Sequence, residues 1–343
     1  MKGLPPLNAE ALSAALDPLR EPDFLQGEVS GALVRIEGSA GRWRGRAGIA
    51  DLTTRAPVPW DARFRIGSMT KAFTATAMFQ LAEAGLVELD APLRRYLPDL
   101  LPEGHPATVR QAMDHTSGIQ PVPIDHKNPD WFFVHRYDTF APEDLVLWTE
   151  PPPFTPGEQQ VYGNVGYIVA GLVIERVTGR PYADAVRRGV LRRLGLEHTC
   201  LPGTAIGIPG PHAHGYERYG TGFVDVTESN PSLQWAAAEI ISTTGDLDGF
   251  LTGLFGGRLL SPRSLSEMMT VPDIAGAEYS AGLKRLVVGD LILWGKSGDR
   301  PGYTSGMGTT PDLARRLIYS VNTLKMGSDL PDIAMDVIMA ALT

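Results

Sequence analysis

Ser68-Met69-Thr70-Lys71, Tyr162-Gly163-Asn164 and Lys296-Ser297-Gly298 follow one another in that order along the chain. Each alone is weak evidence of chemistry. Together they supply a nucleophile, groups able to take and return its proton, and a cationic wall for a negatively charged intermediate. Ser68 opens a helical pattern. Residues three apart share a helix face, with Cβ atoms roughly 5–6 Å apart, so the Lys71 amine can fold back onto the Ser68 hydroxyl. A lysine acts as a base only when largely neutral, and burial or a second cation such as Lys296 pushes its pKa down. Tyr162 is a candidate proton shuttle between the serine and a leaving group, its phenolate stabilised by two lysines. Asn164 can hydrogen-bond Lys71 or a substrate amide, or simply cap the helix that follows. Ser297 offers a hydroxyl to an acyl or carboxylate group, and Gly298 leaves room for substrate along a strand edge. The N–H groups of Ser68 and Asp299 are candidates for an oxyanion hole.

The elements that must position these groups are legible in outline. A short amphipathic helix is expected over residues 8–20. Val29 to Glu37 and Trp43 to Asp51 read as strands joined by the turn Gly-Ser-Ala-Gly. Phe73, Ala77, Met78 and Leu81 recur at helical spacing from Ser68 to Ala84, and Gly85 ends that helix. Another helix is expected from about Asn164 to Val177, stopped by Thr178-Gly179-Arg180-Pro181. Gly282 to Val288, Leu291 to Lys296, Tyr303 to Thr309 and Arg316 to Asn322 read as strands, with Lys296-Ser297-Gly298 ending the second. A last helix runs from about Leu330 to Leu342. Strands, then helices, then strands imply an α+β fold: an antiparallel sheet built from both chain ends, flanked by helices, with an inserted all-helical domain. The division expected is 1–67 with 236–343 for the sheet unit and 68–235 for the helical unit, the site lying in the cleft between them. Pro121, Pro123, Pro129 and Pro151 to Pro153, with Trp131, Phe132, Phe133, Tyr137, Phe140 and Trp148, make 120–158 a candidate lid or pocket wall.

Composition narrows the partners. With 343 residues, 43% hydrophobic and 20% charged, the chain suits one large globular unit or two closely packed ones. A formal charge of −8 argues against nucleic acid or an anionic membrane as the main partner. The longest apolar run, Val165 to Ile174, is too short to span a bilayer. With no basic segment followed by an apolar one at the N-terminus, a cytoplasmic location is expected, a trimmed secreted form being the alternative. Cys200 is the single cysteine and reads as a structural thiol. His212-Ala213-His214 lacks evident partner ligands, so no metal is expected. Trp235 is a candidate for the acyl pocket, with a core position equally open.

The three motifs resemble the set that marks the serine β-lactamase and penicillin-binding-protein superfamily. Tyr-x-Asn in second place is similar to the class C β-lactamase and D-alanyl-D-alanine carboxypeptidase branch. Phe64 to Lys71, His115-Thr116-Ser117-Gly118, Tyr162 to Gly179 and the Trp235 to Leu247 region extend the resemblance over roughly residues 28–325. It implies a β-lactamase-like fold and a covalent acyl-enzyme on Ser68, with Lys71 and Tyr162 managing protons and no metal or organic cofactor. It also implies that a basic residue near Lys284 or Arg285 holds a substrate carboxylate. Two departures stand out. Lys296 occupies a place where the carboxypeptidases often carry His, and Asp299 follows the glycine where many members have a small residue or Thr. A carboxylate there is expected to repel an acidic substrate and to tolerate an ester or an amine.

The expected function is therefore a serine acyl hydrolase or acyltransferase acting on a small ester, amide or peptide, with water or an amine as acceptor. An esterase, a D-amino-acid amidase or peptidase, and a secondary-metabolite transacylase all fit. Two other readings stay open. One is a D-alanyl-D-alanine carboxypeptidase or class C-like β-lactamase; the other is a β-lactam sensor that acylates once without turnover.

Overall fold

A computed structural model describes residues 4–102, 104–147, 152–327 and 330–342. Trp148 and Pro151 of the aromatic segment lie outside the described residues. Six strands form one sheet: β1 (Val29–Glu37), β2 (Trp43–Gly48), β3 (Lys284–Val288), β4 (Leu291–Arg300), β5 (Tyr303–Thr309) and β6 (Arg316–Thr323). Their order across the sheet is β2-β1-β6-β5-β4-β3, with every neighbour antiparallel. The amino-terminal hairpin thus pairs with the last strand, Val34 opposite Tyr319. Both chain ends build one sheet, as the strand pattern implies.

Two helices pack on the outer face. Helix α1 (Ala9–Ala14) and helix α6 (Asp332–Leu342) bury Leu12, Ile333 and Val337 against Val34, Ile36 and Val321. The other face joins a larger core containing α2 (Thr70–Glu83), α4 (Val165–Thr178) and α5 (Thr244–Phe255). Between α2 and α4 in the chain lies α3 (Pro129–His135). Helix α4 is buried on all sides from Val165 to Ile174, as a helix apolar all round must be. It ends at Gly179, which takes the left-handed conformation (φ 64°) that a residue with a Cβ avoids.

Local chemistry explains where boundaries differ from expectation. Helix α1 stops at Ala14, and Asp17–Arg20, with Pro18 in its first turn, continues only as a 3₁₀ turn. Strand β2 ends at Gly48, whose φ of 75° takes the chain out of the ladder before Asp51. Strand β4 runs on to Arg300, so Lys296-Ser297-Gly298 lies inside the strand, because pairing with β5 continues to the Arg300–Tyr303 turn. The inserted segment is mainly helical, yet it also carries two short strand pairs. These are Gln120–Pro121 with Val146–Leu147 and Tyr216–Tyr219 with Gly222–Asp225.

Phe73 of α2 and Phe250 of α5 stack with ring centroids 3.9 Å apart, both fully buried. That contact ties the helix bearing Lys71 to the one beneath the sheet. Phe250→Ala is expected to lower unfolding stability by about 3–5 kcal/mol through lost burial and a residual cavity; denaturant titration measures it.

Candidate active site

Ser68 lies in a 3₁₀ turn, Gly67–Met69, that leads directly into α2. The turn is pressed against β4. A Cβ on Gly298 would overlap the Ile66 carbonyl oxygen and sit 2.8 Å from the Ser68 nitrogen. A Cβ on Gly67 (φ 52°) would sit 2.6 Å from the Asp299 nitrogen. The absent side chain of Gly298 therefore serves the approach of strand to turn, a tighter requirement than room for substrate. The same contact sets the Ser68 and Asp299 amides side by side, the arrangement an oxyanion hole needs.

Lys71 is fully buried. Its Nζ lies 3.0 Å from Ser68 Oγ, 2.7 Å from Asn164 Oδ1 and 3.2 Å from the Ala237 carbonyl oxygen. Asn164 stands at the start of α4 but does not cap it, because its oxygen is committed to Lys71 while its amide donates to Gln234 Oε1. Burial lowers the Lys71 pKa to about 8; Tyr162 raises it and Lys296 lowers it further. Two acceptors and one hydroxyl match the two N–H bonds and one lone pair of a neutral amine. The pocket thus suits Lys71 as a base facing Ser68.

Lys296, on β4, is nearly as buried and is also lowered to about 8, by burial first and Lys284 next, against Asp299 which raises it. Its ammonium sits 4.6 Å from the centre of the Tyr162 ring, and that of Lys71 sits 5.2 Å from it. Two cations share one phenol ring, whose π face partly offsets their repulsion. Ser297 and Asp299 are exposed at the cavity. Asp299 Oδ1 accepts the Thr304 hydroxyl at 2.8 Å.

Three residues not anticipated in a site role complete this wall. His115, held at a φ of 67°, places its ring 4.5 Å from Tyr162 and accepts the Gly163 N–H on Nδ1 at 3.4 Å. Burial, then Lys71 and Lys296, push its pKa well below the ordinary value, so it stays neutral between two cations. Tyr279 lies 4.8 Å from the Tyr162 ring. Gln160 ties the strand-like segment before Tyr162 to the Asp114 and Tyr279 carbonyls, both at 2.8 Å. The His115-Thr116-Ser117-Gly118 stretch was the single sequence signal among these.

Two expected contacts fall elsewhere. Trp235 packs edge-on against Tyr182 at 4.8 Å and covers Gly171 of α4, a core position, while its neighbours Gln234 and Ala238 line the cavity. Lys284, at the start of β3, pairs with Glu278 at 2.7 Å and lies 5.5 Å from the centre of the Tyr279 ring, outside the described cavity lining. The cavity has a volume of about 350 Å³. Trp131, Phe132 and Phe140 form one side of it. That segment is hydrogen-bonded to the neighbouring loop: Arg136 donates to the Asp225 carbonyl at 3.0 Å and the Phe140 N–H to Ser232 Oγ at 3.0 Å.

A serine beside a buried lysine, a tyrosine between two lysines and a strand carrying Lys-Ser-Gly define a class. The Beta-lactamase family model matches residues 12–340, and the chain belongs to that family, within the serine β-lactamase and penicillin-binding-protein superfamily. It is similar over 97% of its length to a D-stereospecific amidohydrolase from Streptomyces sp., with 33% identity, 98% of that chain covered and a TM-score of 0.84. Esterase EstB of Burkholderia gladioli is 30% identical over 55% of this chain, and penicillin-binding protein 4* of Bacillus subtilis is 28% identical over 50%. The match spans about half of these curated relatives or less, 52% of the esterase and 38% of the penicillin-binding protein. No helix among the described residues is long and apolar enough to cross a membrane.

Both lysine pKa values are depressed, so the unfolded chain binds these protons more tightly than the folded one. Their cost to stability is complete below about pH 8 and fades as pH rises towards the ordinary lysine value of 10.5. Acylation by this site is expected to rise with pH through an apparent midpoint near 8, belonging to the coupled pair. In Lys296→Gln the midpoint moves up, since a neighbouring cation is gone. Pre-steady-state acylation rates between pH 6.5 and 10 read both effects, and a flat profile refutes them.

Proposed function

We propose that this protein is a serine hydrolase or acyltransferase that forms an acyl-enzyme on Ser68 from a small amide or ester. The single observation that carries this reading is Ser68 Oγ at 3.0 Å from a fully buried lysine whose pKa lies near 8. In this mechanism neutral Lys71 takes the Ser68 proton as Oγ bonds to the substrate carbonyl carbon. The oxyanion rests between the Ser68 and Asp299 amides. As the tetrahedral adduct collapses, the leaving nitrogen or oxygen receives a proton through Tyr162, whose ring lies between Lys71 and Lys296. Water, or an amine acceptor, then attacks the ester carbonyl while the same groups take its proton, and Ser68 is released with its hydrogen restored.

Similarity to the Streptomyces amidohydrolase across nearly the whole of both chains supports an amide of D configuration. Similarity to EstB supports esters as well, over a smaller share. A carboxypeptidase or β-lactamase activity is the second reading, favoured by the match to penicillin-binding protein 4*.

The test is a panel of D- and L-amino-acid amides and esters, aryl esters and a chromogenic cephalosporin, followed by product formation and intact mass, with and without added amines. The wild-type protein is expected to gain one acyl mass on Ser68 and to turn over D-amides faster than L-amides. Ser68→Ala is expected to lose the adduct and at least about 10³-fold in kcat. Substantial turnover in that variant would sink the assignment.

A further inference from the structure

Tyr162 has to meet one atom of a reacting substrate, yet no regular element holds it. Residues 159–163 belong to neither helix nor strand, and a Cβ on Gly163 would find no neighbour within 4 Å. A glycine in such a stretch leaves the backbone free to turn. The tyrosine is 40% exposed, so packing restrains only part of its ring.

His115 meets this stretch at three points. Its carbonyl oxygen accepts the Val161 N–H at 2.9 Å, and its Nδ1 accepts the Gly163 N–H at 3.4 Å. Between those two amides its ring lies against the Tyr162 ring, with centroids 4.5 Å apart. One residue thus binds the chain just before and just after the tyrosine and covers the phenol as well. His115 is held in turn. It is buried two residues beyond the short helix Val109–Met113, and Asp114 Oδ1 accepts the Thr116 hydroxyl on its far side at 2.6 Å. Its ring also meets Tyr167 of α4 and the edge of Tyr279, at 5.6 and 5.5 Å.

Two further features fit that task. A φ of 67° is rare for a residue with a side chain and calls for a reason. Aiming the ring at Tyr162 and Nδ1 at Gly163 is one. Histidine also suits the charge of the place. A carboxylate would offer an acceptor but pair with the two lysines, and an imidazolium would have no lone pair left for Gly163. Burial, then Lys71 and Lys296, keep the ring neutral. Gln160 braces the same stretch, its Oε1 accepting the Glu278 and Tyr279 N–H groups at 2.9 and 3.1 Å.

We propose that His115 is the positioning residue for Tyr162, clamping the flanking amides so that the phenol faces the leaving group of the substrate. The proposal rests on the serine-hydrolase reading for the step Tyr162 performs, and on the three contacts of His115 for the clamp.

The experiment uses His115→Gly, which removes the acceptor, and His115→Asn, whose side-chain oxygen can take the Gly163 N–H. Glycine and asparagine both adopt positive φ with ease, so neither variant strains the backbone. Acylation is compared, as kcat/KM, for 4-nitrophenyl butyrate and ethyl butyrate. Nitrophenolate departs without a proton, whereas the ethyl alcohol has to receive one. His115→Gly is expected to lose at least about tenfold more on the ethyl ester than on the aryl ester, as Tyr162→Phe should. His115→Asn should recover most of that difference. Combining His115→Gly with Tyr162→Phe should cost no more than Tyr162→Phe alone, because one acts through the other. Equal losses on both esters in His115→Gly, or losses that multiply in the double variant, overturn the proposal. Amide hydrogen exchange tests the clamp without turnover. In His115→Gly the Gly163 amide should exchange at least about tenfold faster, while the Val161 amide, bonded to the main chain of residue 115, should not change. A Gly163 rate within twofold of wild type refutes the clamp. If neither ester acylates Ser68 while the Gly163 amide behaves as expected, the hydrolase reading falls and the clamp stands.

Discussion

The site depends on one close approach of backbones. Strand β4 and the turn before α2 touch through Gly67 and Gly298, where neither chain could accept a Cβ without being pushed away. Main-chain contact at that range fixes strand against helix more firmly than side-chain packing could, because nothing in it can change rotamer. From it follow the juxtaposed Ser68 and Asp299 amides and the delivery of Lys296 opposite Lys71. The stacked pair Phe73 and Phe250 supports the same alignment from below.

Gathering cations in a buried place works against folding. Lys71 and Lys296 are wholly and nearly buried, respectively. Dielectric screening is weak there, so the protein compensates locally. Lys71 meets a carbonyl and an amide oxygen, Lys296 donates to the Ser297 carbonyl at 3.2 Å, and both lie over the Tyr162 ring. His115, neutral beside them, supplies an acceptor without another charge. What remains uncompensated is a lowered lysine pKa, and the stability forgone is the source of the basicity near pH 8. Strain and reactivity here are one quantity seen twice.

Membership of the β-lactamase family defines the scaffold and the serine chemistry, while the remainder of the cavity decides which molecule is held. One side is aromatic, from Trp131, Phe132 and Phe140, and the other is polar, from Ser297, Asp299 and Arg300. Each wall is anchored by ordered hydrogen bonds, Arg136 to Asp225 and the β4–β5 ladder.

By itself the sequence determined the local facts. Ser-x-x-Lys on a helical repeat places serine and lysine on one face, apolar runs with turn residues between them give the strands, and Gly179 before Arg180-Pro181 stops α4. The three motifs, read together, led to Ser68, Lys71, Tyr162 and Lys296, which the fold does gather. Tertiary structure alone decided the rest. Trp235 went to the core and Lys284 to Glu278, because a residue's number does not say which distant segment will cover it. Asn164 gave up its cap for Lys71, and His115 and Tyr279 entered the wall from separate loops. The reason is physical. Periodicity and capping act over a few residues, whereas burial, the field at a charge and the sign of a cavity are sums over everything nearby in space.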